Sequence, residues 1–113
     1  MERIVTCAAL RDLTDNGAKI SLLDVRRRPA LDADPALIPG AVWRDPEQVG
    51  TWAADLDQAQ AVVAYCVHGH EVSRSVVESL RALGIEAALL EGGFEAWKAS
   101  GGSVTRSDPE QVG

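Results

Sequence analysis

Cysteine is scarce in this chain, and its scarcity limits the class of protein. Only Cys7 and Cys66 occur among the 113 residues. Two cysteines are too few for a disulfide scaffold, and a reducing compartment is the simpler setting for them. The sequence therefore predicts a fold that does not depend on disulfide bonds, in a cytoplasmic protein.

Long apolar runs and an excess of positive charge are also missing. No run approaches the ~18 residues of a membrane span, and the start Met-Glu-Arg-Ile-Val has no signal-type apolar region. Seventeen acidic against eleven basic side chains give a net charge of −6, which repels nucleic-acid phosphates and anionic membrane surfaces. We expect neither nucleic acid nor membrane as a partner.

The composition that remains is that of an ordinary globular domain. Hydrophobic residues make up 46% and charged residues 25% of the chain, enough for one core at this length. We predict a single domain over residues 1–102. The polar residues 103–113 are predicted to form a flexible tail. The hexamer Asp-Pro-Glu-Gln-Val-Gly occurs at 45–50 and 108–113 but is too short for a structural repeat.

Short aliphatic and β-branched segments predict the strands of an α/β fold. They lie at Arg3–Val5, Ile20–Val25, Ala41–Trp43, Ala61–Tyr65 and Glu86–Leu89. The segment Ala61–Tyr65 is apolar throughout, as expected of a parallel strand covered on both faces. Helical patterns lie between the strands, over Cys7–Asp15, from Asp45 towards Leu56, from Val72 to Leu83 and over Phe94–Lys98. In such a fold the ligand site lies at the carboxyl ends of the strands.

A cysteine lies at one of these predicted strand ends. Ala61–Tyr65 runs directly into Cys66, Val67, His68, Gly69, His70, Glu71, Val72 and Ser73, where an amphipathic helix begins. A curled loop directs its backbone N–H groups inward, and the start of a helix adds its positive dipole end, so a thiolate at the centre is stabilised. Cys66 is therefore the candidate nucleophile, whereas Cys7, on the apolar side of the first helix, is interpreted as structural.

Three stretches of the sequence resemble the rhodanese-like domain family, over roughly residues 3–102. Leu22-Leu23-Asp24-Val25-Arg26 with Ile38-Pro39-Gly40-Ala41 is similar to the first family signature, and Leu90-Glu91-Gly92-Gly93-Phe94-Glu95-Ala96-Trp97 is similar to the last. The cysteine loop lies between them. The resemblance implies a five-stranded parallel sheet flanked by helices on both faces, with the strand before Cys66 beside the strand that ends near Asp24.

The resemblance also implies an activity. Sulfurtransferases of this family carry a sulfur atom on the loop cysteine as a persulfide. For this chain it implies a Cys66 persulfide loaded from thiosulfate or a persulfide donor and unloaded to a thiol or cyanide, with a small sulfur-containing anion or persulfide as substrate. A thiol protein is a possible acceptor, and no cofactor is expected.

The cysteine loop departs from the sulfurtransferase pattern Cys-x-x-Gly-x-Arg/Thr-Ser. Gly69 is in place, but Glu71 stands where Arg or Thr is usual, and Ser73 comes one residue late. The longer loop is similar to that of rhodanese-fold phosphatases and arsenate reductases, yet Val72 stands where those enzymes have an oxyanion-binding Arg. Without that Arg, phosphatase or arsenate reductase chemistry is disfavoured.

Charged residues near the loop leave alternatives open. Arg26 begins the only basic run, at the same predicted sheet edge as Cys66, and either draws in an anionic substrate or is tied to Asp24. Glu71 faces the mouth of the loop, points outward to a partner, or pairs with Arg74, which is therefore a further steering or structural candidate. His68 and His70 are predicted to lie at the mouth, where either can supply charge or relay a proton near neutral pH. Cys-x-His-x-His spacing does not favour a metal site.

Two classes of function remain. The first is an enzyme, a sulfurtransferase of the thiosulfate sulfurtransferase type that turns over through Cys66. The second is a low-turnover sulfur-relay or regulatory binding module whose loop recognises a partner protein, which the glutamate at position 71 favours.

Overall fold

Five strands form one parallel sheet in a computed structural model, which describes residues 4–57, 59–69 and 71–106. The strands are β1 (Ile4–Val5), β2 (Ile20–Asp24), β4 (Val42–Trp43), β5 (Ala61–Tyr65) and β6 (Ala87–Leu90), in the order β1-β6-β5-β2-β4. All four neighbouring pairs are parallel. The predicted five-stranded parallel sheet is confirmed, and β5 lies beside β2 with Asp24 opposite Tyr65.

Two of the helical segments begin after a residue whose side chain caps them. Helix α1 (Cys7–Asp15) begins after Thr6, whose hydroxyl accepts a hydrogen bond from the Ala9 amide at 3.0 Å. Asp45 caps the next helical segment in the same way. That segment divides into a 3₁₀ turn (Pro46–Gln48), α3 (Val49–Trp52) and a second 3₁₀ turn (Ala53–Asp55). Helices α4 (Glu71–Ala82) and α5 (Gly93–Ala99) follow β5 and β6.

The sheet has a separate hydrophobic core on each face, because successive side chains of a strand point to opposite sides. In β5, Val62 and Ala64 pack with residues of α3 and α4, whereas Val63 and Tyr65 pack with Leu10 of α1 and with Phe94 and Trp97 of α5. Residues 62–65 are completely buried or nearly so. The helices therefore cover both faces, as predicted.

The prolines at positions 29, 35 and 39 predict a long loop over residues 26–40, and this prediction is wrong. The segment contains a helix, α2 (Arg28–Ala33), and a short strand, β3 (Ala36–Leu37). Pro29 lies in the first turn of α2, and Arg28 pairs with Asp32 one turn later at 3.0 Å. Both are local helix signals that the sequence contains.

The folded domain also extends beyond its predicted end at residue 102. Strand β7 (Thr105–Arg106) pairs antiparallel with β3, because its backbone groups complete the hydrogen bonding of that short strand. The rest of the predicted tail, residues 107–113, and with it the second copy of the hexamer, lies outside the described residues. Within the described part of the chain, no helix combines the length and the apolar character needed to cross a membrane.

Arg26 is a structural residue, which corrects the hypothesis that it draws in an anionic substrate. Its side chain is only 1% exposed and forms an ion pair with the completely buried Asp24. The guanidinium Nη1 donates to the carbonyl of Asp34 and Nη2 to that of Ala36, both at 2.8 Å. Since each guanidinium nitrogen has a protein acceptor, the cation joins the end of β2 to α2 and β3.

Two glycine turns pack the last helix against the loop that follows β5. At Gly93, which has a φ of 64°, an added Cβ would lie 2.4 Å from the Cys66 carbonyl oxygen. At Gly69 it would lie 2.9 Å from the Gly92 nitrogen. The approach allows the amides of Phe94 and Glu95 to donate to the carbonyls of Cys66 and Val67. The glycines are therefore needed for contact as well as for the turn.

The buried ion pair predicts that replacing Arg26 lowers the free energy of unfolding much more than replacing its neighbour Arg27. Replacing Arg26 with Ala leaves the Asp24 charge buried without its partner, and we expect a loss of roughly 3–5 kcal/mol in the free energy of unfolding. Arg27→Ala, at an exposed position, should change it by less than about 0.5 kcal/mol. Urea unfolding of both variants measures the difference, and equal small losses would show that the ion pair does not hold this region.

The close contact at Gly93 predicts that alanine is more destabilising at this position than at a glycine with open space around it. Gly93→Ala combines a strained φ with a backbone clash, so we expect it to cost more than about 3 kcal/mol. Gly84→Ala is the matched control, because Gly84 has a similar φ of 84° but open space around its Cα. In Gly84→Ala the free energy of unfolding should fall by only about 1–2 kcal/mol. Thermal and urea unfolding of the two variants test the contact, which equal losses would contradict.

Candidate active site

The sulfur of Cys66 lies at the carboxyl end of β5, directly ahead of α4. Its side chain is 6% exposed, and Sγ lies 3.2 Å from the hydroxyl oxygen of the completely buried Ser73. The thiol donates to that hydroxyl in the neutral state. If the thiol is deprotonated, the hydroxyl can rotate and donate to the sulfur instead. The longer loop therefore still places a serine against the cysteine sulfur, one residue later than in the short-loop pattern.

A pocket of about 380 Å³ opens beside this sulfur. Its walls come from two parts of the chain, the loop and first turn of α4 on one side and the segment from Arg26 into α2 on the other. The lining residues are Arg26, Arg27, Ala30, Cys66, Val67, His68, Glu71 and Val72. The structure thus brings Cys66 together with most of the predicted loop residues at one accessible site.

Of the charged residues expected near the cysteine loop, some line the pocket and others do not. Glu71 is exposed and lines the pocket, in agreement with the hypothesis that it faces the mouth. Arg74 is exposed but lines a separate groove with Ile4 and Leu89, so it is not part of this pocket. Arg27 lines the pocket and is exposed, so the cation at its mouth comes from the residue next to Arg26.

Of the two histidines predicted at the mouth of the loop, the structure describes one. His68 is exposed and lines the pocket. His70, the second residue predicted at the mouth, lies outside the described residues. Within residues 4–57, 59–69 and 71–106, no three side chains of His, Cys, Asp or Glu come close enough together to hold a metal ion.

Hydrogen bonds, a ring contact and an ion pair link the elements next to the pocket wall. The Tyr65 hydroxyl accepts a hydrogen bond from the Ile38 amide at 3.1 Å. Burial, and next the charge of Asp24, raise the pKa of the Tyr65 phenol far above its usual value, so it remains neutral. Arg26 stacks over Phe94 with 4.4 Å to the ring centroid. An ion pair of Lys98 with Asp34, at 2.6 Å, joins α5 to the end of α2; it lowers the pKa of Asp34 and raises that of Lys98.

The second cysteine has no place in this site. Cys7 is partly buried against the core that contains Leu10 and Phe94, it does not line the pocket, and its Sγ lies 3.9 Å from the Glu91 carbonyl oxygen. Partial burial raises the pKa of the Cys7 thiol, which disfavours the thiolate there. Its interpretation as a structural residue agrees with these surroundings.

Sequence reasoning missed three contributions to the site. Ala30 lines the pocket because α2 exists, and the pattern Arg28-Pro29 with Asp32 was the signal for that helix. The sequence places Arg27 in a basic run but does not show that Arg27 is exposed at the pocket while Arg26 is buried. The contact of Gly93 with the Cys66 carbonyl depends on two chain segments far apart in sequence, so no local pattern shows it.

The chain matches the family model described as the rhodanese-like domain over residues 6–100. A rhodanese-related protein from Thermoplasma volcanium is 24% identical and aligns over 92% of this chain and 98% of its own, with a TM-score of 0.79. The rhodanese-like domain from Anabaena sp. is 28% identical over 94% of this chain and 80% of its own, with the same TM-score.

A third solved structure, from Rhodopseudomonas palustris, is described as a protein of unknown function and possible tyrosine phosphatase. It is 24% identical over 91% of this chain and 84% of its own, with a TM-score of 0.79, a level of likeness that concerns the fold alone. The search of curated proteins gave no match. Since the family model spans most of the sequence and the parallel sheet carries the cysteine loop at its carboxyl edge, the chain belongs to the rhodanese-like domain family.

Proposed function

We propose that the protein is a sulfurtransferase that carries sulfane sulfur on Cys66 as a persulfide. The observation that supports this most is the position of the Cys66 sulfur. It lies at the start of the 12-residue helix α4, within 3.2 Å of the Ser73 hydroxyl, and lines a pocket that small molecules can enter. A helix start and a hydroxyl donor both stabilise negative charge on sulfur.

The reaction consists of two exchanges at sulfur. The Cys66 thiolate attacks the outer sulfur of the donor, so that a bond forms between the two sulfur atoms while the S–S bond of the donor breaks. The leaving group takes the electron pair and departs as sulfite from thiosulfate, or as a thiolate from a persulfide. An acceptor thiolate or cyanide then attacks the outer sulfur of the Cys66 persulfide and regenerates the thiolate.

The lining of the pocket favours a persulfide over thiosulfate as the donor. Glu71 places a carboxylate beside the path of a dianion, and one unit charge at a few ångströms amounts to a few kcal/mol at an effective dielectric near 20 before screening. Val67, Val72 and Ala30 supply apolar wall instead of oxyanion donors. A donor with an organic group attached to its sulfur fits these walls better.

Phosphatase or arsenate reductase activity has less support. Val72 occupies the sixth position after Cys66, and the guanidinium of Arg26 is committed to Asp24, Asp34 and Ala36. An oxyanion transition state at Cys66 would therefore lack the paired donors that stabilise it. A sulfur-relay module with slow turnover remains the second candidate, because the exposed Glu71 also suits recognition of a partner protein.

The persulfide proposal predicts that replacing Cys66 and replacing Cys7 have different effects on sulfur transfer and on stability. Cys66→Ser should abolish sulfur transfer and leave the fold intact, because a hydroxyl fits the space but cannot carry sulfane sulfur. Cys7→Ser should reduce stability, since Cys7 packs against a core, and keep the activity. Intact mass after brief exposure to a persulfide or thiosulfate measures loading, and the expected gain is one sulfur atom on wild type and Cys7→Ser only.

Two results would contradict this assignment. Equal loss of loading in both cysteine variants would remove the special role of Cys66. Wild-type protein that gains no sulfur from any donor would favour the binding module.

The position of Glu71 predicts a gain of function with thiosulfate. Removing the carboxylate removes repulsion, so Glu71→Gln should raise kcat/KM for thiosulfate by roughly two- to fivefold at this exposed site. Glu71→Arg should raise it further by adding a donor fork, and both gains should shrink as salt rises. Steady-state thiosulfate:cyanide kinetics at two ionic strengths provide the measurement.

The matched control is Glu78→Gln, two turns later on α4 and outside this pocket. It should leave thiosulfate kinetics unchanged. Thiosulfate kinetics that stay within error for both Glu71 variants would rule out the repulsion and favour partner recognition by Glu71.

A further inference from the structure

Two opposite charges face the pocket of Cys66 from different elements. Arg27 immediately precedes α2, and Glu71 is the first residue of α4. Both side chains are exposed, both line the pocket, and no ion pair joins them to each other in the described structure. The site therefore offers a cation and a carboxylate that can each bind a group of opposite charge on one ligand.

The neighbouring charges are already neutralised by protein groups. Arg28 pairs with Asp32 at 3.0 Å, and Arg26 pairs with Asp24 at 2.8 Å. Arg27 is thus the cation of the basic run that remains able to bind a ligand at this pocket, within the part of the chain that the structure describes. Its partner across the pocket is Glu71, which substitutes for the basic or neutral side chain that thiosulfate would prefer.

The size of the pocket agrees with an organic ligand. A volume of about 380 Å³ falls within the roughly 300–1,000 Å³ of pockets that bind organic small molecules. Thiosulfate would fill only a small part of it. Ala30, Val67 and Val72 provide aliphatic wall between the charged residues, which suits a short hydrocarbon portion of the ligand.

We propose that the sulfur donor is the persulfide of a small zwitterionic amino thiol, such as cysteine persulfide. Arg27 binds the carboxylate of this donor, Glu71 binds its ammonium group, and the aliphatic wall contacts the carbon skeleton. The outer sulfur then meets the Cys66 thiolate. This assignment rests on the proposed sulfurtransferase function and names the substrate class for the same site.

The transfer balances without a further reactant. The bond between Cys66 Sγ and the outer sulfur forms, the S–S bond of the donor breaks, and the amino thiol leaves as a thiolate that takes up a proton from solvent. One persulfide replaces another, so no external oxidant or reductant is required. The two charges of the donor are neutralised in the pocket, and the carboxylate that opposes thiosulfate becomes a binding group.

Three donors separate the contributions of the two charges. Cysteine persulfide has both groups, 3-mercaptopropionate persulfide has only the carboxylate, and cysteamine persulfide has only the ammonium. With wild type we expect kcat/KM to be highest for cysteine persulfide. Glu71→Gln should lower it about fivefold for the two donors with an ammonium group and raise it for mercaptopropionate persulfide.

Arg27→Gln should give the complementary pattern. It should lower kcat/KM about fivefold for cysteine persulfide and mercaptopropionate persulfide, and leave cysteamine persulfide unchanged or improved. Arg28→Gln and Glu78→Gln are the matched controls, because neither residue lines the pocket. Both controls should keep the wild-type order of the three donors.

The outcomes distinguish failure of the donor assignment from failure of the enzyme. If Cys66 gains sulfur but the Arg27 and Glu71 variants change all three donors equally, or if thiosulfate surpasses cysteine persulfide with wild type, the zwitterionic donor is wrong and the sulfurtransferase stands. If no donor adds sulfur to Cys66 by intact mass, the proposed function itself is wrong.

Discussion

The buried ion pair of Asp24 and Arg26 is the interaction on which the pocket side of the fold depends. Neither charge has access to water, and the cation also satisfies the carbonyls at the end of α2 and in β3. A buried charge pair of this kind is strongly destabilising when one partner is missing, so the two residues hold the connection after β2 in one geometry. That geometry places Arg27 and Ala30 opposite the cysteine loop.

Elements with strong local signals could be predicted from the sequence. The limits of α1 and β5 agree with the structure, since a threonine cap and an unbroken apolar run determine them. The burial of Arg26 could be proposed only as an alternative, because its acceptors lie eight and ten residues away in a segment that the prolines predict to be a loop. Likewise, the hydrogen bond between Cys66 and Ser73 depends on how the loop enters α4, which spacing alone does not determine.

The structure separates two properties of the cysteine site that the sequence combines in one motif. The Ser73 hydroxyl, in the first turn of α4, lies 3.2 Å from the sulfur and is suited to stabilising negative charge there. In the proposed function, the outer lining with Arg27 and Glu71 selects the donor that approaches. Since the outer residues are exposed and come from different elements, they can change without disturbing the sulfur. Under the proposed function, selectivity and reactivity would therefore reside in different side chains.

Strand β7 covers one edge of the short strand β3. It pairs with β3 on the side of Ala36 and Leu37, and the Ala36 carbonyl accepts from Arg26. A chain shortened to residue 102 would leave β3 with open backbone donors and acceptors next to the pocket wall. Such an edge can recruit a strand from another molecule. The few residues after Gly102 thus keep the backbone of β3 paired within the same chain, beside the Ala36 carbonyl that accepts from Arg26.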